Sequence, residues 1–139
     1  MNFKPADLSL TSAWRAMKFG IVGLSGVALN MLVLWLLKEQ AHTPLWLASS
    51  SAIELSILNN FLWNYHWTFV DRQSPRASAW LPALFKYHLA VSAAAVSNFA
   101  VLWLLHQRFG VHYLTANVLG ILFGFVLNYL FSEHWVFNR

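Results

Sequence analysis

Three stretches of this chain contain no Asp, Glu, Lys or Arg: residues 19–37, 87–107 and 109–132. A fourth, 43–70, carries a single charge, Glu54. A helix needs about 20 mostly apolar residues to cross the hydrocarbon core of a bilayer, so these four runs nearly dictate the fold. A soluble alternative fails on composition. Only 10% of the residues are charged and 58% are hydrophobic, against about 25% charged in an ordinary soluble domain, and a chain of 139 residues has too much surface to hide that much apolar side chain from water. Eight tryptophans add a residue type that gathers at membrane interfaces.

The expected fold class is therefore an all-α membrane protein with four transmembrane helices, near 16–38, 45–66, 84–106 and 112–133. Residues 1–15 read as a cytoplasmic N-terminal segment and 16–139 as one four-helix transmembrane domain. The connections at 39–44 and 107–111 are short, so the spans pair into two helical hairpins, separated by a Ser-, Pro- and Arg-rich linker at 71–82. The first apolar run is too long for a signal-peptide core and ends without a small-residue cleavage site, so it reads as a retained span. Lys4, Arg15, Lys18, Arg72, Arg76, Lys86 and Arg139 fall on one side of this layout, and Lys38 and Arg108 on the other. The positive-inside rule then places both termini and the linker in the cytoplasm. The net charge of +4 follows from this topology, and nucleic acid is not an expected partner.

Shifting the chain by 68 positions lays one half on the other without a gap. Lys18 meets Lys86, Asn30 meets Asn98, Asn60 meets Asn128, and His66-Trp67-x-Phe69 meets His134-Trp135-x-Phe137. Apolar composition yields chance Leu and Val matches, but not matched Lys, Asn, His and Trp at one offset. Each half holds two spans, so this is a parallel repeat, a plan in which transporters place sites between the halves. Small residues precede the asparagines at helical spacing: Gly120 and Gly124 before Asn128, Ala52 and Ser56 before Asn60, Ala90 and Ala94 before Asn98, Gly26 before Asn30. Such stripes let helix backbones approach closely. The asparagines either bond across these seams or face a polar head group.

Glu54 is the one formal charge deep in an expected span, and its counterpart 68 residues on is Leu122. A carboxylate at that depth is expensive, so it serves proton coupling or a polar substrate group, or else stands protonated and bonded to a neighbouring Ser or Asn. Asn59, Asn60 and Asn64 lie on the cytoplasmic half of the second span, near Ser56, where amides suit sugar hydroxyls, a pyrophosphate-like head group or interhelical bonding alike. Lys18, Lys86, His66, His134, Arg72 and Arg76 gather at the cytoplasmic interface beside Trp67 and Trp135. They suit an anionic phosphate, or simple anchoring to anionic lipid. Enzyme signatures are missing. The six histidines have no carboxylates at ligand spacing, there is neither a phosphate-binding glycine loop nor a nucleophile elbow, and with no cysteine there is no thiolate site. Neither catalysis nor a metal or cofactor is expected.

Two motifs resemble the GtrA-like family: the basic-Phe opening with its Val-Gly pair, Lys18-Phe19-Gly20-Ile21-Val22-Gly23, and a closing pattern of Asn, aromatic, x, x, polar, x, x, Trp, x, Phe. The closing pattern occurs as Asn60-Phe61-Leu62-Trp63-Asn64-Tyr65-His66-Trp67-Thr68-Phe69 and as Asn128-Tyr129-Leu130-Phe131-Ser132-Glu133-His134-Trp135-Val136-Phe137. Where family members often carry Arg or Lys after the polar position, this chain has Tyr65 and Glu133, each followed by His. The resemblance spans residues 18–137. It implies a flippase for a polyprenyl-phosphate-linked monosaccharide in the inner membrane of a prokaryote, serving cell-surface polysaccharide synthesis beside a membrane glycosyltransferase. On that reading Lys18, His66, Trp67, Arg72, Lys86, His134 and Trp135 receive the phosphate, and Asn30, Glu54, Asn60, Asn64, Asn98 and Asn128 pass the sugar. Four helices barely enclose such a head group, which points to a homodimer. The alternatives are a non-transport scaffold for a glycosyltransferase and a small proton-coupled exporter using Glu54.

Overall fold

A computed structural model of the chain describes residues 5–72 and 79–138, with side chains from residue 11 onward. Lys4, Arg76, Arg139 and half of the expected linker, residues 73–78, lie outside the described residues. Among the described residues the structure is helical, without strands. Four α-helices follow in order: α1 (Pro5–Trp35), α2 (Leu45–Trp63), α3 (Trp80–Phe109) and α4 (Tyr113–Phe131). Wide π-helical turns extend three of them: Leu36–Gln40 after α1, Asn64–Thr68 after α2 and Ser132–Val136 after α4. A 3₁₀ turn, Val70–Arg72, follows the second. The helix starting at Pro5 runs straight through the segment that the sequence reading set apart at 1–15.

The chain divides into two compact units, Met1–Asp71 and Arg72–Arg139. In the first, α1 and α2 pack together as a hairpin. Its turn is held by Ala41 N–H on the Leu36 carbonyl and by Thr43, whose N–H and hydroxyl both donate to the Leu37 carbonyl, at 3.0 and 2.8 Å. Pro44 then caps α2 with its preset φ of −55°. In the second unit α3 and α4 pack likewise. Here α3 stops at Gly110, which takes the left-handed conformation at φ 66°, and Val111 N–H reaches back to the Leu105 carbonyl at 3.1 Å. The Gly110 N–H turns to the same carbonyl, so the helix ends around a left-handed glycine that a side chain would strain.

The burial pattern is inverted relative to a water-soluble bundle. Ala48, Ala52, Ala90 and Ala116 are buried, while Leu24, Trp46 and Phe109 are about seven-tenths exposed. In water such an apolar exterior would drive aggregation; in lipid it is the expected state, with small residues at the helix contacts. Among the described residues, three helical stretches are long and apolar enough to cross a membrane: Thr11–Gln40, Trp80–Phe109 and Tyr113–Val136. The fourth expected span corresponds to α2. Its 19 residues would extend about 28 Å at 1.5 Å per residue, close to a bilayer core. Its composition falls short, because Ser49, Ser50, Ser51, Glu54, Ser56, Asn59 and Asn60 dilute the apolar character.

Candidate functional site

At the open end of the first hairpin, the π turn Asn64–Thr68 closes with Phe69 N–H on the Asn64 carbonyl at 2.9 Å. The wider ring leaves the Trp67 carbonyl to a side chain: Lys18 Nζ donates to it at 3.4 Å. The same ammonium stands 5.3 Å from the Trp67 ring centre and 5.6 Å from that of Trp14, within cation–π range. Beneath it Phe19 packs edge-on against Phe69, both buried. Asn64 and Thr68 are buried as well, whereas His66 is exposed, its ring against Tyr65. Arg15 closes this end on Asp71 at 3.0 Å.

The second hairpin builds the same arrangement from positions 68 residues later. Phe137 N–H closes on the Ser132 carbonyl at 2.9 Å. Lys86 Nζ donates to the Trp135 carbonyl at 3.4 Å and lies 5.7 Å from the Trp135 ring centre, while Tyr87 packs on Phe137. An ammonium has three donors, and the bond to the tryptophan carbonyl is long, so each lysine keeps donors for an anion. Arg72 does not stand in the same position. Its Nη2 pairs with the buried Glu133 carboxylate at 3.3 Å, and its Nη1 donates to the Glu133 carbonyl at 3.3 Å. Its charge is thus already matched within the second unit. His134 is exposed.

The helix seams of the two units differ. In the first, Ser56 donates to the Gly26 carbonyl at 2.8 Å, and Asn59 donates to Ser25 at 3.1 Å and to the Asn60 side-chain oxygen at 3.3 Å. The Asn60 amide fills the space where a side chain at Gly26 would stand. Hydrogen bonds close this seam on itself. In the second unit the corresponding residues are Gly124 for Ser56, Leu127 for Asn59, Ala93 for Ser25 and Ala94 for Gly26, which removes every donor of that network. The Asn98 and Asn128 side-chain oxygens are buried without a hydrogen-bond partner among the described residues. Both amides line a cleft of about 230 Å³ floored by Ala94 and Gly124. At ~30 Å³ per molecule that space would hold about eight waters, or one sugar-sized ring.

The structure thus brings Asn60 into a bonded seam, and Asn98 and Asn128 to the edges of one cleft. Asn30 is half-buried on α1. Glu54 stands on the exposed side of α2, away from the seam of Ala48, Ala52 and Ser56. The network of Ser25 and Asn59 and the Arg72–Glu133 pair were not singled out as partners from sequence. The first had a signal, since a Ser one residue before Gly26 invites a donor from the facing helix. The second joins residues 61 apart and had none.

Residues 18–137 match the family model described as GtrA/DPMS, transmembrane domain. A curated relative, a dolichol-phosphate mannosyltransferase of Pyrococcus furiosus, is 44% identical over 120 residues, covering 86% of this chain and 33% of the relative. The chain thus spans about a third of the length of the curated relative it matches.

Proposed function

Starting from the fact that the chain belongs to the GtrA/DPMS transmembrane-domain family, we propose that it moves a polyprenyl-phosphate-linked monosaccharide across the inner membrane of a prokaryote. Membrane residence in a polyprenyl-phosphate-sugar context follows from the family and from the relative; translocation is our reading. The observation that carries it is the pair of buried side-chain oxygens at Asn98 and Asn128, without a hydrogen-bond partner among the described residues, on side chains that line an open cleft. An unmet polar group in a membrane-spanning helix costs several kcal/mol, so these groups are best explained by a transient polar partner, and a sugar ring supplies hydroxyls of both senses.

In this account four spans, including the polar α2, form two parallel-repeat hairpins with termini and linker in the cytoplasm. Lys18 and Lys86, with Trp67 and Trp135 and the exposed His66 and His134, receive the phosphate at that face. The lipid tail stays in the bilayer, so only the head group needs shelter, and a homodimer completes the enclosure. The chain performs no bond chemistry itself. Glu54, exposed on α2, either couples the movement to protons or contacts lipid head groups from outside the seam.

A second reading has an observation of its own. The relative is a transferase about three times as long as the matched segment, so a segment of this kind can serve as the membrane part of a sugar-transferring assembly. On that reading the chain holds a separate glycosyltransferase at the membrane and presents the lipid phosphate to it. Reconstitution separates the two. Vesicles containing the protein should expose a labelled polyprenyl-phosphate mannose to the opposite leaflet faster than empty vesicles. Equal rates, together with tight co-purification of a glycosyltransferase, would favour the scaffold.

A further inference from the structure

The closed end of the second hairpin carries a cavity with no part in the phosphate rim or the asparagine cleft. It occupies about 480 Å³ between α3 and α4 and is walled by Trp103 and Tyr113, with His106, Gln107 and Asn117 among its polar groups. That volume falls within the range of about 300–1,000 Å³ for small-molecule sites. Trp103 and Tyr113 are each more than half exposed, so their ring faces are accessible. The histidine is held in a defined orientation. Its Nδ1 lies 2.9 Å from the Val111 carbonyl, which only accepts, so Nδ1 carries a proton and Nε2 is the ring atom left to meet a ligand. Tyr113 is held by His106, T-shaped to it at 6.4 Å, and by His112, tilted against it at 4.6 Å. His112 is fixed in turn, because its Nδ1 accepts the Leu114 N–H at 3.3 Å.

The lining chemistry selects the ligand. No Lys, Arg, Asp or Glu lines the cavity, so an anion has no partner there. An imidazole nitrogen, two amides that both donate and accept, and a phenol stand beside two aromatic planes. That combination fits a neutral ring with apolar faces and an edge of hydroxyls. The positions 68 residues earlier are Trp35, Lys38, Glu39, Leu45 and Ser49; they keep the tryptophan but replace the histidine and one amide with charges, and the tyrosine with leucine. We infer that the second hairpin carries a carbohydrate-binding site at its closed end, with Trp103 and Tyr113 as stacking faces and His106, Gln107 and Asn117 as hydroxyl partners. Its role as the receiving site for a sugar that has crossed rests on the orientation proposed above; the binding site does not.

The test is a titration of the full chain in detergent micelles, read by tryptophan emission. The probes are methyl α-D-mannopyranoside, methyl α-D-glucopyranoside and methyl β-D-galactopyranoside, with glycerol and inorganic phosphate as controls. At least one glycoside should give a saturable change that is lost in Trp103→Phe and kept in Trp35→Phe. Asn117→Ala and the exposed Gln107→Ala should each weaken binding by about tenfold, the scale of one lost hydrogen bond. Circular dichroism confirms that each variant is folded, and Gln107→Ala, at an exposed position, keeps the test open if Asn117→Ala unfolds. The inference is overturned if no glycoside saturates, if glycerol or phosphate matches the glycosides, or if the response survives in Trp103→Phe. Glycoside binding by a chain that moves no lipid leaves this site standing and removes translocation; lipid movement without glycoside binding does the reverse.

Discussion

Replacing Gly120 with alanine offers the sharpest test of the seam. A Cβ built there would lie 2.5 Å from the Asn98 side-chain oxygen and 2.6 Å from the Asn98 backbone carbonyl oxygen. The side-chain oxygen can swing away, but the carbonyl moves only if α3 and α4 separate. Overpacking of this kind costs about 1–3 kcal/mol, and two contacts below 3 Å place Gly120→Ala near the top of that range. Alanine returns about 1 kcal/mol in helix propensity, leaving a net loss of about 2 kcal/mol. Gly23 is the matched control, because nothing lies within 4 Å of a Cβ there. Gly23→Ala should therefore gain up to about 1 kcal/mol. The two variants should differ by about 3 kcal/mol, on the order of a hundredfold in the unfolding equilibrium. Titration with sodium dodecyl sulfate, followed by circular dichroism, measures both. If Gly120→Ala proved as stable as Gly23→Ala, the close approach of α3 and α4 at this glycine would be refuted.

Arg72→Ala should cost about 1–3 kcal/mol, less than the loss of a fully buried pair, because Arg72 is partly exposed and Glu133 is not. Adding Glu133→Gln should recover part of that cost, and a double-mutant cycle on the unfolding midpoint checks the coupling. Ser56→Ala should lose about 1 kcal/mol with its bond to the Gly26 carbonyl, as read by the same unfolding titration; an unchanged midpoint would mean that this bond does not hold the seam. Lys18→Met and Lys86→Met should each weaken binding of polyprenyl phosphate to the protein in nanodiscs by about tenfold, on the scale of one charge-assisted contact. Equal affinity in both variants would remove the rim from the phosphate site.

The helices and their seams were legible because both follow from periodicity. Ala52, Ser56 and Asn60 recur every fourth residue; Ala52 is buried, and Ser56 and Asn60 meet α1 at Gly26. The exposure of Glu54 could have been read the same way. It sits two residues from Ala52 and from Ser56, about 200° around a helix of 3.6 residues per turn, which turns it away from the seam. The π turns were not legible. At two of the three, Lys18 and Lys86 take up the carbonyls of Trp67 and Trp135, and no local pattern announces a carbonyl met from 49 residues away. The pairing of Arg72 with Glu133 is hidden for the same reason, which is why Arg72 looked like a phosphate ligand when taken alone. The difference between the seams was visible at the 68-residue offset, where Ser56 meets Gly124 and Asn59 meets Leu127. Its consequence at the seams, two asparagine oxygens without a partner among the described residues in one unit and a bonded network in the other, needed the three-dimensional arrangement.

The central claim is that the second unit's amides handle a sugar as it crosses. Transbilayer movement of a labelled polyprenyl-phosphate mannose should be followed in vesicles containing the wild-type chain, the Asn98→Ala/Asn128→Ala variant or no protein. Because the side-chain oxygens of both residues are buried without a hydrogen-bond partner among the described residues, the double variant should fold as stably as the wild type or better, while its transport falls to the rate of empty vesicles. Transport at the wild-type rate in that variant, or no transport above the lipid background by the wild type, would contradict the account.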